Sequence, residues 1–197
     1  MRKRRRKKSK APVIVIIIVL LIVFLVTKDD LARHFIYPDD YYEEIMTAAQ
    51  ANDIDAALLF AVVREESGFD KNALSNVGAQ GLMQLMPDTA EWICDNAPFG
   101  YDSVSDVWDP AANIMMGAWY LNWLASTYYD GNLAAAIAAY NAGQQNVNDW
   151  LKEGRWDGSF QQAENIPFGE TAAFIKSVDK SRHKYEELYA FSTSKYN

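Results

Sequence analysis

Eight of the first ten residues, MRKRRRKKSK, are lysine or arginine, and an uninterrupted apolar run from Val13 to Val26 follows almost at once. With Ala11, Pro12 and Thr27 the run reaches 17 residues. As a helix it spans about 25 Å at ~1.5 Å per residue, the short end of what crosses a hydrocarbon core. Its β-branched residues disfavour a helix in water. In lipid, however, a helix is the only single-segment way to satisfy the backbone. A cleaved signal peptide, an uncleaved signal anchor and a buried soluble helix compete for this pattern. The stretch LVTKDDLARHF after Phe24 holds no small-residue A-x-A triplet and no lipobox cysteine, which favours the anchor over a cleaved leader. Eight abutting cations argue against the buried helix. The positive-inside bias then places the N-terminus in the cytoplasm and everything after Lys28 outside. The expected division is a basic tail over 1–10, a transmembrane segment over 11–27, a juxtamembrane linker over 28–38 and one domain over 39–197.

The net charge of −7 conceals an asymmetry, because no acidic residue precedes Asp29. From Lys28 onward, 11 basic side chains face 26 acidic ones. A body that acidic lacks the clustered cations a phosphate backbone requires, so nucleic acid is not an expected partner. One cysteine, Cys94, excludes an internal disulfide framework and a cysteine-based zinc cluster. Two isolated histidines, His34 and His183, speak against a histidine-rich metal site. No metal and no cofactor are expected.

The outer domain reads as all-α. Asp40 to Ala51 is amphipathic. Asp53 or Asp55 can cap IDAALLFAVVREES, whose Ala56 to Val63 stretch is apolar nearly all round and belongs in the middle of a domain. Ser67 to Gln80 has the Gly, Ser, Asn and Asp density of a structured loop, with room for a small hairpin. Pro87 suits a first helical turn running to about Asn96, and Asp109-Pro110 opens a long helix. Asn132 caps LAAAIAAYNAG, Gly143 stops it, NVNDWLKEG follows, and Glu170 to Tyr189 supplies the last helix.

Glu66 ends the most apolar of these helices, with Val62 and Val63 one turn behind it and Leu59 two turns behind. Desolvation there raises a carboxyl pKa because the ionised form loses hydration. A carboxylic acid kept protonated near neutrality can donate to a leaving oxygen, as glycosidic cleavage requires. Taken alone, such a glutamate more commonly caps or solvates a helix end. Glu65 is rotated from it by about 100°, and periodicity does not choose between the two.

The surrounding residues add weight. Glu66-Ser67-x-Phe69, Ala73-x-Ser75 and the run Gly78-Ala79-x-Gly81-Leu82-Met83-Gln84-Leu85-Met86-Pro87 form an ordered series. Ala139-Tyr140-Asn141-Ala142-Gly143 and Glu170-Thr171, with Phe174 and Val178, complete it. Together these blocks closely resemble the soluble-lytic-transglycosylase family, whose domain is lysozyme-like, of the goose-type class. The resemblance runs from about Asp53 to Val178.

That resemblance implies a lytic transglycosylase, a lyase cutting peptidoglycan glycan strands. Glu66 matches the single catalytic acid/base, and Ser75 a residue hydrogen-bonding near the reacting sugar. Gln84 and Met86 match groups lining the saccharide cleft. Tyr140 matches a tyrosine whose hydroxyl approaches the catalytic carboxyl, with Asn141 beside it, and Glu170 matches a supporting cleft glutamate. The segment after the family's Glu-Thr pair usually carries Arg and Tyr, whereas this chain has Ala172, Ala173 and Phe174. No strong second catalytic acid stands out, since Asp70, Asp88 and Asp109 read as turn or cap residues. The resemblance supplies instead the substrate's own N-acetyl group, Glu66 acting as base toward the 6-hydroxyl, and a 1,6-anhydro-muramoyl product. A hydrolytic muramidase on the same fold and a non-catalytic wall-binding protein are the rival readings. Tethering at the membrane would raise local concentration against an acidic body's repulsion from anionic wall polymers.

Overall fold

The computed structural model describes residues 11–189, with side chains from Ile16 onward; the basic tail over 1–10 lies outside the described residues. Two units are present, divided between Pro38 and Asp39. The first is one helix, α1 (Ala11–Phe35), which continues through the expected membrane boundary at Thr27 and into the stretch read as a linker. Nothing in Lys28-Asp29-Asp30-Leu31 breaks a helix, and Lys28 pairs with Asp29 at 2.8 Å. Among the described residues no helix is long and apolar enough to cross a membrane. Ile16 to Val26 leave their apolar side chains largely exposed on every face of α1.

The second unit is mainly helical: α2 (Tyr42–Ala51), α3 (Ala56–Ser67), α4 (Pro87–Asn96), α5 (Pro110–Tyr128), α6 (Leu133–Ala142), α7 (Gln144–Lys152) and α8 (Gly169–Tyr189). Its starts follow local chemistry. Asp55 caps α3 by accepting from Ala57 N at 2.9 Å, Asp109 caps α5 through Ala112 N at 3.0 Å, and Asn132 caps α6 through Ala135 N at 3.1 Å. Pro87 and Pro110 occupy first turns, where a missing N–H costs nothing. Two short 3₁₀ segments, Asp106–Trp108 and Phe160–Asn165, were not legible in the sequence. The hairpin allowed for in the Ser67–Gln80 loop is reduced to two isolated antiparallel bridges, Leu74 with Gln80 and Gln80 with Leu85, and no strand forms among the described residues.

Helix α3 is the centre of the domain, every residue from Ala56 to Val63 being buried. It lies against α8, where Phe60 stacks on Tyr185 with ring centroids 5.2 Å apart. Arg182 on α8 reaches Asp55 at the start of α3, at 3.7 Å, and Glu186 at 2.8 Å. The other end of α3 stops at Gly68, whose φ of 59° no β-carbon favours and whose N–H returns to Arg64 O at 3.1 Å.

The loop between α3 and α4 is held from within by Asn113, a buried polar residue on α5. Its Oδ1 accepts from Met83 N at 2.8 Å, and its Nδ2 donates to Val107 O at 2.8 Å and Gln80 O at 3.2 Å. Gly81, at φ +74°, leaves the space that Nδ2 needs, since a β-carbon there would stand 2.4 Å from it. Asn113→Ala therefore strands the Met83 N–H and the Val107 carbonyl, while Gln80 O keeps its bond from Leu85 N at 3.0 Å. Urea denaturation is expected to show a loss of about 2–4 kcal/mol; a loss below about 0.5 kcal/mol would mean that Asn113 does not hold the loop.

Candidate active site

The end of α3, the loop it enters, the end of α6 and the start of α8 meet at Glu66. Its carboxyl is raised to about 8, first by burial and then by the negative charge of Glu170. No hydrogen bond reaches it among the described residues, so little offsets the lost hydration. Glu65 has a different fate. Its Oε1 pairs with Arg64 and accepts from Ser181 Oγ at 2.7 Å, which ties the last turn of α3 to α8. The adjacent glutamates, indistinguishable by periodicity, are separated by their neighbours: Glu65 is a structural anchor and Glu66 a poorly solvated, unbonded acid.

Tyr140 stands close enough for Glu66 to influence it. Its hydroxyl is pushed well above 10, first by burial, then by the charge of Glu66 and by Tyr120. That hydroxyl donates to Met83 O at 2.7 Å, so its proton is committed to the loop and not to the carboxyl. Asn141 Oδ1 accepts from Thr171 Oγ1 at 2.7 Å. Thr171 is 2% exposed, so this bond ties the end of α6 to the start of α8 and holds the backbone that carries the exposed Glu170.

Gln84, Met86, Tyr140 and Asn141 line one cavity of about 240 Å³, together with Thr89 and Tyr120. Met86 is exposed, while Met83 and Leu85 on either side of Gln84 are buried in the core. Gln84 sits at φ 47° and donates from Nε2 to Gly81 O at 2.9 Å and Ala73 O at 3.1 Å. Its amide thus braces the loop at the cavity wall. Ser75 does not line this cavity. Its Oγ accepts from Ala79 N at 2.9 Å, closing a turn, and the hydroxyl keeps its own proton to donate. Glu66 is likewise not among the lining residues and joins the site through Tyr140 and Glu170.

Several contributors escaped the sequence reading. Asn113 carried a signal, an amide amid the apolar residues at the start of α5, and Thr171 was visible only as the partner of Glu170 in its Glu-Thr pair, whereas Ser181 carried none, because its partner Glu65 is 116 residues away. Among the described residues no group of three or more His, Cys, Asp or Glu side chains is gathered as a metal would need.

The shifted carboxyl has a cost in stability. Between 4.5, its ordinary value, and about 8 the unfolded chain has released the proton while the folded chain holds it. The folded state binds more protons in that window, so Glu66 makes stability fall as pH rises through it. Glu66→Gln is expected to stabilise the protein by about 1–3 kcal/mol at pH 7 and by much less at pH 4, read by urea melts. Equal effects at the two pH values would show an unperturbed carboxyl.

Residues 43–162 match the Transglycosylase SLT domain family. The soluble lytic murein transglycosylase of Escherichia coli (strain K12) is 34% identical over 145 residues, covering 72% of this chain and 22% of that protein. The crystal structure of the 70 kDa E. coli soluble lytic transglycosylase superposes with a TM-score of 0.72 at 31% identity, over 79% of this chain and 25% of that one. An inactive mutant of the lytic transglycosylase Slt from Pseudomonas aeruginosa gives 0.71 at 34% identity, over the same shares. The chain thus spans about a quarter of the length of these relatives. With the family match covering more than half of its length, and an unbonded glutamic acid at the end of its central helix, the chain belongs to the SLT transglycosylase-domain family.

Proposed function

We propose that this chain is a membrane-anchored lytic transglycosylase that cuts the bond between N-acetylmuramic acid and N-acetylglucosamine in peptidoglycan and leaves 1,6-anhydro-muramoyl ends. The observation that carries the reading is the Glu66 carboxyl, raised to about 8 at the centre of an SLT fold. Protonated at neutral pH, it can give its proton to the bridging oxygen as the C1–O bond breaks. The resulting carboxylate can take the proton of the sugar's 6-hydroxyl while O6 bonds to C1, which returns Glu66 to its starting state without consuming water. The substrate's acetamido group is already held at C1 by covalent connection, so it can stabilise the developing cation without a second protein carboxylate.

Ser75, Gln84, Met86, Asn141 and Glu170 are assigned to substrate contact or its support, and Tyr140 to shaping the wall beside Glu66. Gln84 and Met86 can contact sugar directly from the cavity wall, and Glu170 raises the affinity of Glu66 for its proton. Hydrolysis has one observation in its favour: Glu170 is a second, exposed carboxylate within electrostatic range of Glu66 and could activate water.

Anchoring at the membrane, with the domain on the wall side, is supported by eight cations beside an apolar run and by a helix that exposes apolar side chains on all faces. Such a surface is stable only when something apolar covers it.

Mass spectrometry of digested sacculi separates the reactions. Anhydro ends are expected, whereas fragments heavier by one water would establish hydrolysis. Glu66→Gln is expected to lower turnover at least a hundredfold with its helical circular dichroism retained. Undiminished digestion by this variant would exclude Glu66 as the acid. The wild-type rate should fall above about pH 8 as Glu66 ionises. Glu170→Gln should move that limb to lower pH, because the charge that raises the Glu66 pKa is gone.

A further inference from the structure

Met83, in the loop between α3 and α4, is gripped by two helices at once. It is fully buried, and its N–H, its carbonyl and its side chain each meet a different partner. From α5, Asn113 Oδ1 accepts from Met83 N at 2.8 Å. From α6, the Tyr140 hydroxyl donates to Met83 O at 2.7 Å. About one turn beyond Asn113, Gly117 leaves the slot that the side chain fills. A β-carbon at 117 would stand 2.3 Å from Met83 Sδ, 2.8 Å from Cε and 2.9 Å from Cβ. Residues four apart share a helix face, so Asn113 and Gly117 present one surface to the loop. Gly117 lies inside α5 and has no positive φ, so its backbone does not ask for a glycine, which is less favourable there than alanine. The contact with Met83 does ask for one.

What Met83 carries is the wall of the 240 Å³ cavity, since Gln84, Leu85 and Met86 follow it there. Gln84 sits at φ 47°, a conformation that a residue with a β-carbon keeps only where its surroundings over-determine it. Its amide is tied back to Gly81 O and Ala73 O, which leaves it little freedom to adjust alone. Asn113 and Gly117 themselves do not line the cavity. The flexible end of a methionine can swing away from a new methyl group, but its Cβ moves only with the backbone. A β-carbon at 117 therefore drives the Met83 main chain and α5 apart, with Gln84 directly behind Met83.

We propose that Asn113 and Gly117 are positioning residues for substrate: as a pair on α5 they fix where Met83 stands, and through it the place of Gln84 and Met86 against a bound strand. The inference rests on the glycan-cleaving reading of the site and adds which residues govern its affinity without touching the substrate. Disturbing the pair weakens binding, while the acid itself, carried by α3, stays in place.

The test uses the full chain in mild detergent. It measures kcat and KM on soluble peptidoglycan strands, and the dissociation constant of chitotetraose by calorimetry. Gly117→Ala and Asn113→Ala are each expected to raise KM and that dissociation constant at least fivefold, with kcat per folded molecule within threefold of wild type. KM does not depend on the folded fraction, which circular dichroism supplies, so partial unfolding of a variant does not obscure the result. Leu124→Val, at a fully buried position about 10 Å further along α5, is the control for destabilisation alone and should leave KM within twofold. An unchanged KM in both variants, a rise matched by Leu124→Val, or a loss confined to kcat overturns the proposal. Digestion by the wild type with unchanged KM in the variants removes the positioning role alone. Binding of chitotetraose without digestion removes the proposed activity alone, and the dissociation constants then decide the positioning role. Absence of both binding and digestion overturns both.

Discussion

A carboxyl group at the end of a helix with no polar face is a costly thing for a protein to keep. Ala56 to Val63 are all buried, and the same solvent exclusion that makes α3 the centre of the domain removes water from Glu66 at its end. The nearby charge of Glu170 adds to the effect. No hydrogen bond among the described residues relieves it, so the proton stays on at neutral pH. The stabilising burial of α3 and the unfavourable environment of its terminal acid are consequences of one packing arrangement. Strain of this kind, set against stability, is what an acid catalyst requires.

The surrounding scaffold holds this acid in place while leaving it unbonded. Glu65 takes the ionic and hydrogen-bonding duties at the end of α3, with Arg64 and Ser181 as partners. Asn113 organises the loop opposite, Tyr140 commits its proton to Met83, and Thr171 joins α8 to Asn141. Each of these polar groups satisfies a backbone or side-chain partner, whereas the Glu66 carboxyl has no hydrogen bond among the described residues. An aromatic series from Tyr140 through Tyr120 to Trp123 and Trp92 then extends the wall of the site away from the acid.

Much of this was legible in the chain. Helix positions followed from caps and periodicity: Asp109 and Asn132 stand where the sequence suggested, and Asp55 is chosen over Asp53 because its carboxylate reaches Ala57 N. Gln84, Met86, Tyr140 and Asn141 do come to one cavity, while Ser75 closes a turn outside it. The hairpin shrank to isolated bridges because Gln80 shares its backbone partners between Leu74 and Leu85, which leaves no continuous ladder. Helix α1 ran past Thr27 because charged residues end an apolar run without ending a helix.

Local chemistry in the sequence thus determined where helices start and stop, the all-apolar character of α3 and the presence of an acid at its end, since caps, prolines and periodicity act over a few residues. Tertiary structure alone decided which of Glu65 and Glu66 would be anchored, how far the pKa of Glu66 would rise, and which aromatic rings would share a wall. The first two depend on partners brought from more than a hundred residues away, the third on rings from separate helices, and desolvation is a property of the assembled surroundings that no single segment carries.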